Sequence, residues 1–82
     1  MASLEFVRRL GPDPHEAGDT PGLAGCPDVW ELSNGDFAVI GIRSTSSLGP
    51  RLPATASCGP DEEIVLVPRR ILTAAREDLP SE

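Results

Sequence analysis

Apolar residues along this chain gather in a few short runs, and each run has its own period. Between residues 28 and 42, "DVWELSNGDFAVIGI", two apolar-rich segments flank Asn34-Gly35. Asn-Gly between alternating apolar residues is the strongest short-range hairpin signal, because both residues tolerate positive φ. A two-residue primed turn sets an expected register with Leu32 opposite Phe37 and Trp30 opposite Val39. Trp30, Leu32, Phe37 and Val39 then share one face, and Val29, Ala38, Ile40 and Ile42 share the other with Glu31. Both faces are largely apolar, so each needs a cover.

Residues 3–10, "SLEFVRRL", space Leu4, Val7 and Leu10 as one face of a helix, with Ser3 as its cap. Phe6 breaks that spacing, so a short strand competes. Gly11-Pro12 ends either element. Residues 62–68, "EEIVLVP", are a β-branched run ending at proline and read as a buried strand. The following "PRRILTAARED" spaces Ile71, Leu72, Ala75 and Leu79 along one helix face beginning at Pro68. Glu77 and Asp78 oppose the dipole at the end of such a helix, which leaves a continued strand through Ile71-Leu72 as the alternative.

These runs predict an α+β fold. A small three-stranded β-sheet is built on the Asn-Gly hairpin, with residues 64–67 as third strand and a C-terminal helix packed on one face. The fold is loop-rich. Residues 11–27 are broken by prolines and glycines without period, and residues 43–60 are polar and broken by three further prolines. Thr45-Ser46-Ser47 precede a brief helical turn near residues 48–52. The expected organisation is an N-terminal element with a Pro/Gly-rich mobile segment over 1–25 and a small α+β domain over 26–82.

Composition narrows the picture. With 82 residues, a single domain buries only about 60–65% of the surface its unfolded chain exposes, so its core is thin. Thirteen acids face seven bases, for a net charge of −6, and every base is arginine. That balance argues against bulk nucleic acid and against an anionic membrane surface. No apolar run reaches the roughly 18–20 residues of a membrane helix. The N-terminus has no basic stretch leading into an apolar one. The expected location is the cytoplasm, where Cys26 and Cys58 are reduced thiols.

Candidate chemistry is sparse. His15, the one histidine, lies in "DPHEAGD" on the segment expected to move, whereas a catalytic base needs a rigid setting. Cys26 and Cys58 each sit beside Pro or Gly, without a local cation or helix N-terminus to lower the thiol pKa. They read as structural thiols, with a Cys26–Cys58 staple as the alternative. No phosphate loop, dinucleotide fingerprint or zinc-protease motif is present. No catalytic residue, metal site or cofactor is expected. Gly41 reads as a point of close approach.

"CPDVWELSNGDFAVIG", with the later "PRLPATASC" and "IVLVPRRIL", resembles small acidic uncharacterised proteins of high-GC actinomycete bacteria. The similarity spans roughly residues 26–72. It implies a bacterial cytoplasmic protein in a regulatory setting, near helix-turn-helix regulators, and it carries over no catalytic residues.

The expected function is that of a small interaction or regulatory protein that binds a partner protein, with a transcriptional regulator among the candidate partners. Strand addition at the sheet edge is one mechanism. Arg69, Arg70, Trp30 and Glu31 are the contact candidates, because arginine and tryptophan are enriched at interfaces. The alternative is a small-molecule or cofactor-binding accessory protein, with its ligand between the sheet and loop 43–60. A thiol-dependent enzyme using Cys58 or His15 comes third.

Overall fold

The structure, a computed structural model, describes residues 3–13 and 27–81. It is a mixed α+β, loop-rich fold with two sheets. β1 (Phe6–Arg9), β2 (Asp28–Leu32) and β3 (Phe37–Ile40) form an antiparallel sheet in the order β1-β2-β3. β4 (Ile42–Arg43) and β5 (Val65–Leu66) form a second antiparallel pair. A short helix, α1 (Thr45–Leu48), follows β4, and the C-terminal helix α2 (Arg69–Ala75) follows Pro68.

The hairpin is present, but its turn and register differ from the expectation. Leu32 N donates to Asp36 O at 2.8 Å and Gly35 N donates to Leu32 O at 3.0 Å. The loop therefore holds three residues, Ser33 to Gly35. Gly35 has φ +91° and Asn34 does not have positive φ. This is the turn-plus-glycine-bulge arrangement and not a primed two-residue turn. Asn34 uses its side chain instead: Oδ1 accepts from Asp36 N at 2.9 Å, and Nδ2 donates to Asp36 Oδ2 at 3.0 Å. The register slips by one, pairing Trp30 with Ala38 and Glu31 with Phe37. Residues opposite one another share a face, so Trp30 and Phe37 lie on opposite faces. Nothing lies within 4 Å of a Cβ built on Gly35, so Gly35→Ala meets only backbone strain. It should cost about 1 kcal/mol, and Gly35→Asn less, as read by denaturant titration.

The third strand is β1, and residues 65–66 belong to the second sheet. Leu4, Val7 and Leu10 mimic helical spacing because β1 carries a bulge between Phe6 and Arg8. The extra residue puts Phe6 and Arg9 on the Trp30 face and Leu10 on the Val29 face. β5 spans only two residues before Val67 and Pro68. Beside it, a Cβ on Gly41 would fall 2.7 Å from Leu66 O, so only glycine lets the two backbones cross this closely. Ser44 N donates to Ile64 O at 2.7 Å. Thr45 Oγ1 accepts from Ile64 N at 2.8 Å and donates to Glu63 Oε1, tying the loop ends together.

Among the described residues, the buried apolar core is Leu10, Val29, Ile71 and Ala75, with Val67 packed against it. Helix α2 thus covers the Val29 face with Ile71 and Ala75, an i,i+4 pair. Leu72 and Leu79, expected on that face, are 52% and 46% exposed. Leu72 is turned about 100° from Ile71, and the α-helix ends at Ala75 before a 3₁₀ turn over Arg76–Asp78. That turn gives Asp78 a use: its Oδ2 accepts from Gly11 N at 2.7 Å, and its carbonyl accepts from Arg8.

Candidate functional site

Three features outside the core carry chemistry. The first is a cluster on the sheet face turned away from α2. Arg9 sits 4.6 Å over the Trp30 ring, and Phe6 meets Trp30 edge-on at 5.6 Å. Arg9 Nε also donates to both carboxylate oxygens of Asp28, at 3.0 and 3.1 Å. Asp28 is buried, and Val29 N donates to its Oδ1 at 3.1 Å. A buried carboxylate is tolerated when it is paired and hydrogen-bonded in this way. Trp30 is half-buried by this stack while Phe6 is exposed. On the other face, Glu31 accepts from Arg8 Nε at 2.9 Å. Two of the candidate contact residues, Trp30 and Glu31, are thus engaged by neighbouring strand arginines and point to opposite sides.

The second feature is a cavity of about 280 Å³ between the ends of β1 and β2 and helix α2. Leu10, Pro12, Pro27, Ile71 and Ala74 supply apolar walls, with Asp28 and Arg70 as the charged lining. Arg69 and Arg70, adjacent in the first turn of α2, are both exposed. Arg70 lines the cavity and Arg69 does not. Glu62 Oε1 accepts from Gly59 N at 2.8 Å, and Glu63 Oε1 accepts from Thr45 Oγ1.

The third feature is the outer edge of β3. Among the described residues, strand order places β3 at the sheet edge, with β2 on its inner side. Antiparallel pairs alternate between hydrogen-bonded and non-bonded. Leu10 N bonds to Val29 O, so odd-numbered residues of β2 turn toward β1 and even-numbered ones toward β3. Ala38 and Ile40, opposite Trp30 and Asp28, therefore face β2, and the backbone groups of Phe37 and Val39 face outward. Phe37, Val39 and Ile40 are all exposed, at 40–46%.

Cys58 is a half-buried free thiol in the loop after α1. Cys26 and His15 lie outside the described residues. Among the described residues, no group of three His, Cys, Asp or Glu could hold a metal ion, and no helix is long and apolar enough to cross a membrane. Sequence reasoning did not connect Arg8 and Arg9 with Glu31, Asp28 and Trp30. Their roles depend on β1 pairing with β2 across a separation of 19 or more residues, and no local period announces that. Neither a family model, nor a curated protein, nor a solved structure matches this chain.

Proposed function

We propose that this chain is a small interaction protein of the bacterial cytoplasm that receives an extended segment of a partner protein along the outer edge of β3. The observation that carries this reading is the contrast between the two edges of the sheet. β1 is blunted by its bulge and by Arg8 and Arg9. β3, "FAVI", has no charge, no proline and no bulge between Phe37 and Ile40, and its apolar side chains are exposed. Natural edges are guarded by charges, prolines or bulges, and an unguarded apolar edge is a template for strand addition. A regulatory setting, with a transcriptional regulator as partner class, rests on the resemblance described above. Arg69 and Arg70 would add contacts from α2.

The test places a photo-crosslinking residue at Phe37, with a second at exposed Val7 on β1 as control, in the native host. Covalent capture from position 37, and its loss on Val39→Lys, is the expected result. Equal capture from both positions removes the edge from the reading. A second reading, a small-molecule-binding accessory protein, is favoured by the cavity beside Arg70. At about 280 Å³ it lies just under the usual 300–1,000 Å³ of ligand pockets. It also lies away from loop 43–60, where the sequence reading set a ligand.

A further inference from the structure

We propose that the strand received by β3 is β3 of a second copy of this chain, antiparallel, with Ala38 on the two-fold axis and Phe37 of each copy beside Val39 of the other. This deepens the strand-addition reading and rests on it. An apolar edge exposed on both faces selects a receiving strand without charge, since a charge opposite it loses water without gaining a partner. Among the described strands β1, β2 and β4 all carry charged residues, and β5 is only two residues long. β3 alone is uncharged and four residues long. The acids behind the net charge of −6, such as Asp61–Glu63 and Glu77-Asp78, lie outside it.

The register follows from parity and from the neighbours. Outward-facing Phe37 and Val39 must pair with outward-facing residues, so the two-fold axis passes through a residue and not between two. An axis at Phe37 brings the two Asp36 side chains into diagonal contact, a like-charge pair. An axis at Val39 puts each Phe37 beside the other copy's Gly41, on the side where a Cβ would already meet Leu66 O at 2.7 Å and Val67 Cγ2 at 2.9 Å. An axis at Ala38 avoids both, and leaves only Asp36, exposed and held by Asn34 just before the strand, across from Ile40. It creates two aromatic–β-branched pairs, Phe37 with Val39, which are among the favourable cross-strand pairs. It also closes the assembly. The two three-stranded sheets join into one of six strands, whose outer edges are the blunted β1 strands. An isologous contact of this kind stops at the dimer.

Ala38 with Ala38 is a non-hydrogen-bonded pair, with Cα atoms about 4.5 Å apart, within disulfide reach. The test introduces Ala38→Cys into the full chain carrying Cys26→Ser and Cys58→Ser, followed by mild oxidation. Expected are near-complete covalent dimer for Ala38→Cys and several-fold less for Ile40→Cys, whose opposite number is Asp36. Sedimentation equilibrium should give twice the chain mass, falling to the chain mass for Val39→Lys with the near-ultraviolet signal of Trp30 retained. Should Val39→Lys fail to fold, the cysteine pair still decides. A single-chain mass at all concentrations, or a dimer that Ala38→Cys does not lock, overturns the proposal. If the chain is single while position 37 crosslinks to a different protein, strand addition stands and self-pairing falls. If position 37 crosslinks to nothing, both fall.

Discussion

Ile71→Ala will cost about 2–4 kcal/mol of folding stability, while Leu72→Ala will cost well under 1 kcal/mol. The two residues are adjacent, and their apolar side chains are similar in size. Their environments are not. Ile71 is 8% exposed and packs with Leu10, Val29 and Ala75, the buried apolar core among the described residues, whereas Leu72 is 52% exposed. Truncating Ile71 removes both its transfer free energy and the contacts it gives to the other three. So small a core has few atoms to collapse into the gap. A chain of 82 residues has a total stability of roughly 4–12 kcal/mol. The loss therefore amounts to a third or more in most of that range. At about 4–8 °C per kcal/mol, the melting temperature should fall by roughly 8–32 °C. Urea titration of both variants side by side checks the claim. Equal losses would mean that α2 presents both residues to the sheet, as the bare apolar pattern had suggested.

That contrast marks where the sequence is legible. The elements that local chemistry dictates are readable: the Asn-Gly hairpin, the strand before Pro68 and the helix after it. What a one-residue difference decides is not. Asn34 tolerates positive φ but is not obliged to adopt it. Here its amide bonds to Asp36 at both ends, and the turn gains a residue. Every side chain of β3 then changes face. The same holds for β1, where the bulge after Phe6 converts a strand's alternation into a spacing that mimics a helix. Helix α2 shows the converse case: four apolar residues at plausible spacing, of which only Ile71 and Ala75 find a surface to cover, because the α-helix stops at Ala75.

The candidate site divides along the same line. Trp30 stands out in any chain with three aromatic residues, and it does anchor a cluster. Arg9, which stacks on it, and Asp28, which holds Arg9, are read from sequence only after β1 is known to lie beside β2. The unguarded edge of β3 was half legible. Its apolar run is plain, but which backbone groups face outward depends on the register that the turn sets.

Asp28→Ala will cost about 2–3 kcal/mol, a drop in melting temperature of some 10–20 °C, more than any substitution of an exposed acid. Asp28 is 7% exposed, and both its oxygens accept from Arg9 Nε while Oδ1 also accepts from Val29 N. Removing the carboxylate leaves a half-buried guanidinium lying 4.6 Å over Trp30 without the buried partner it was ordered against. Asp13, 3.6 Å from Arg9 Nη1, is a third exposed and offers weaker compensation. The Val29 amide also loses a partner in the buried part of the sheet, and an unmet buried donor carries its own penalty. Asp28→Asn keeps the shape and the Oδ1 acceptor while losing the charge, so about half the cost should remain. Arg9→Lys should not rescue either function, because an ammonium cannot bridge two carboxylate oxygens and lie flat on an indole at once. Its signature is a changed Trp30 fluorescence alongside a stability loss of about 1–2 kcal/mol. The decisive measurement is the double-mutant cycle on Arg9 and Asp28, with a coupling energy above about 1 kcal/mol expected. A coupling near zero would place the pair with ordinary surface ion pairs, and the stability of this face would then rest on the contacts of Trp30 with Phe6 and Arg9.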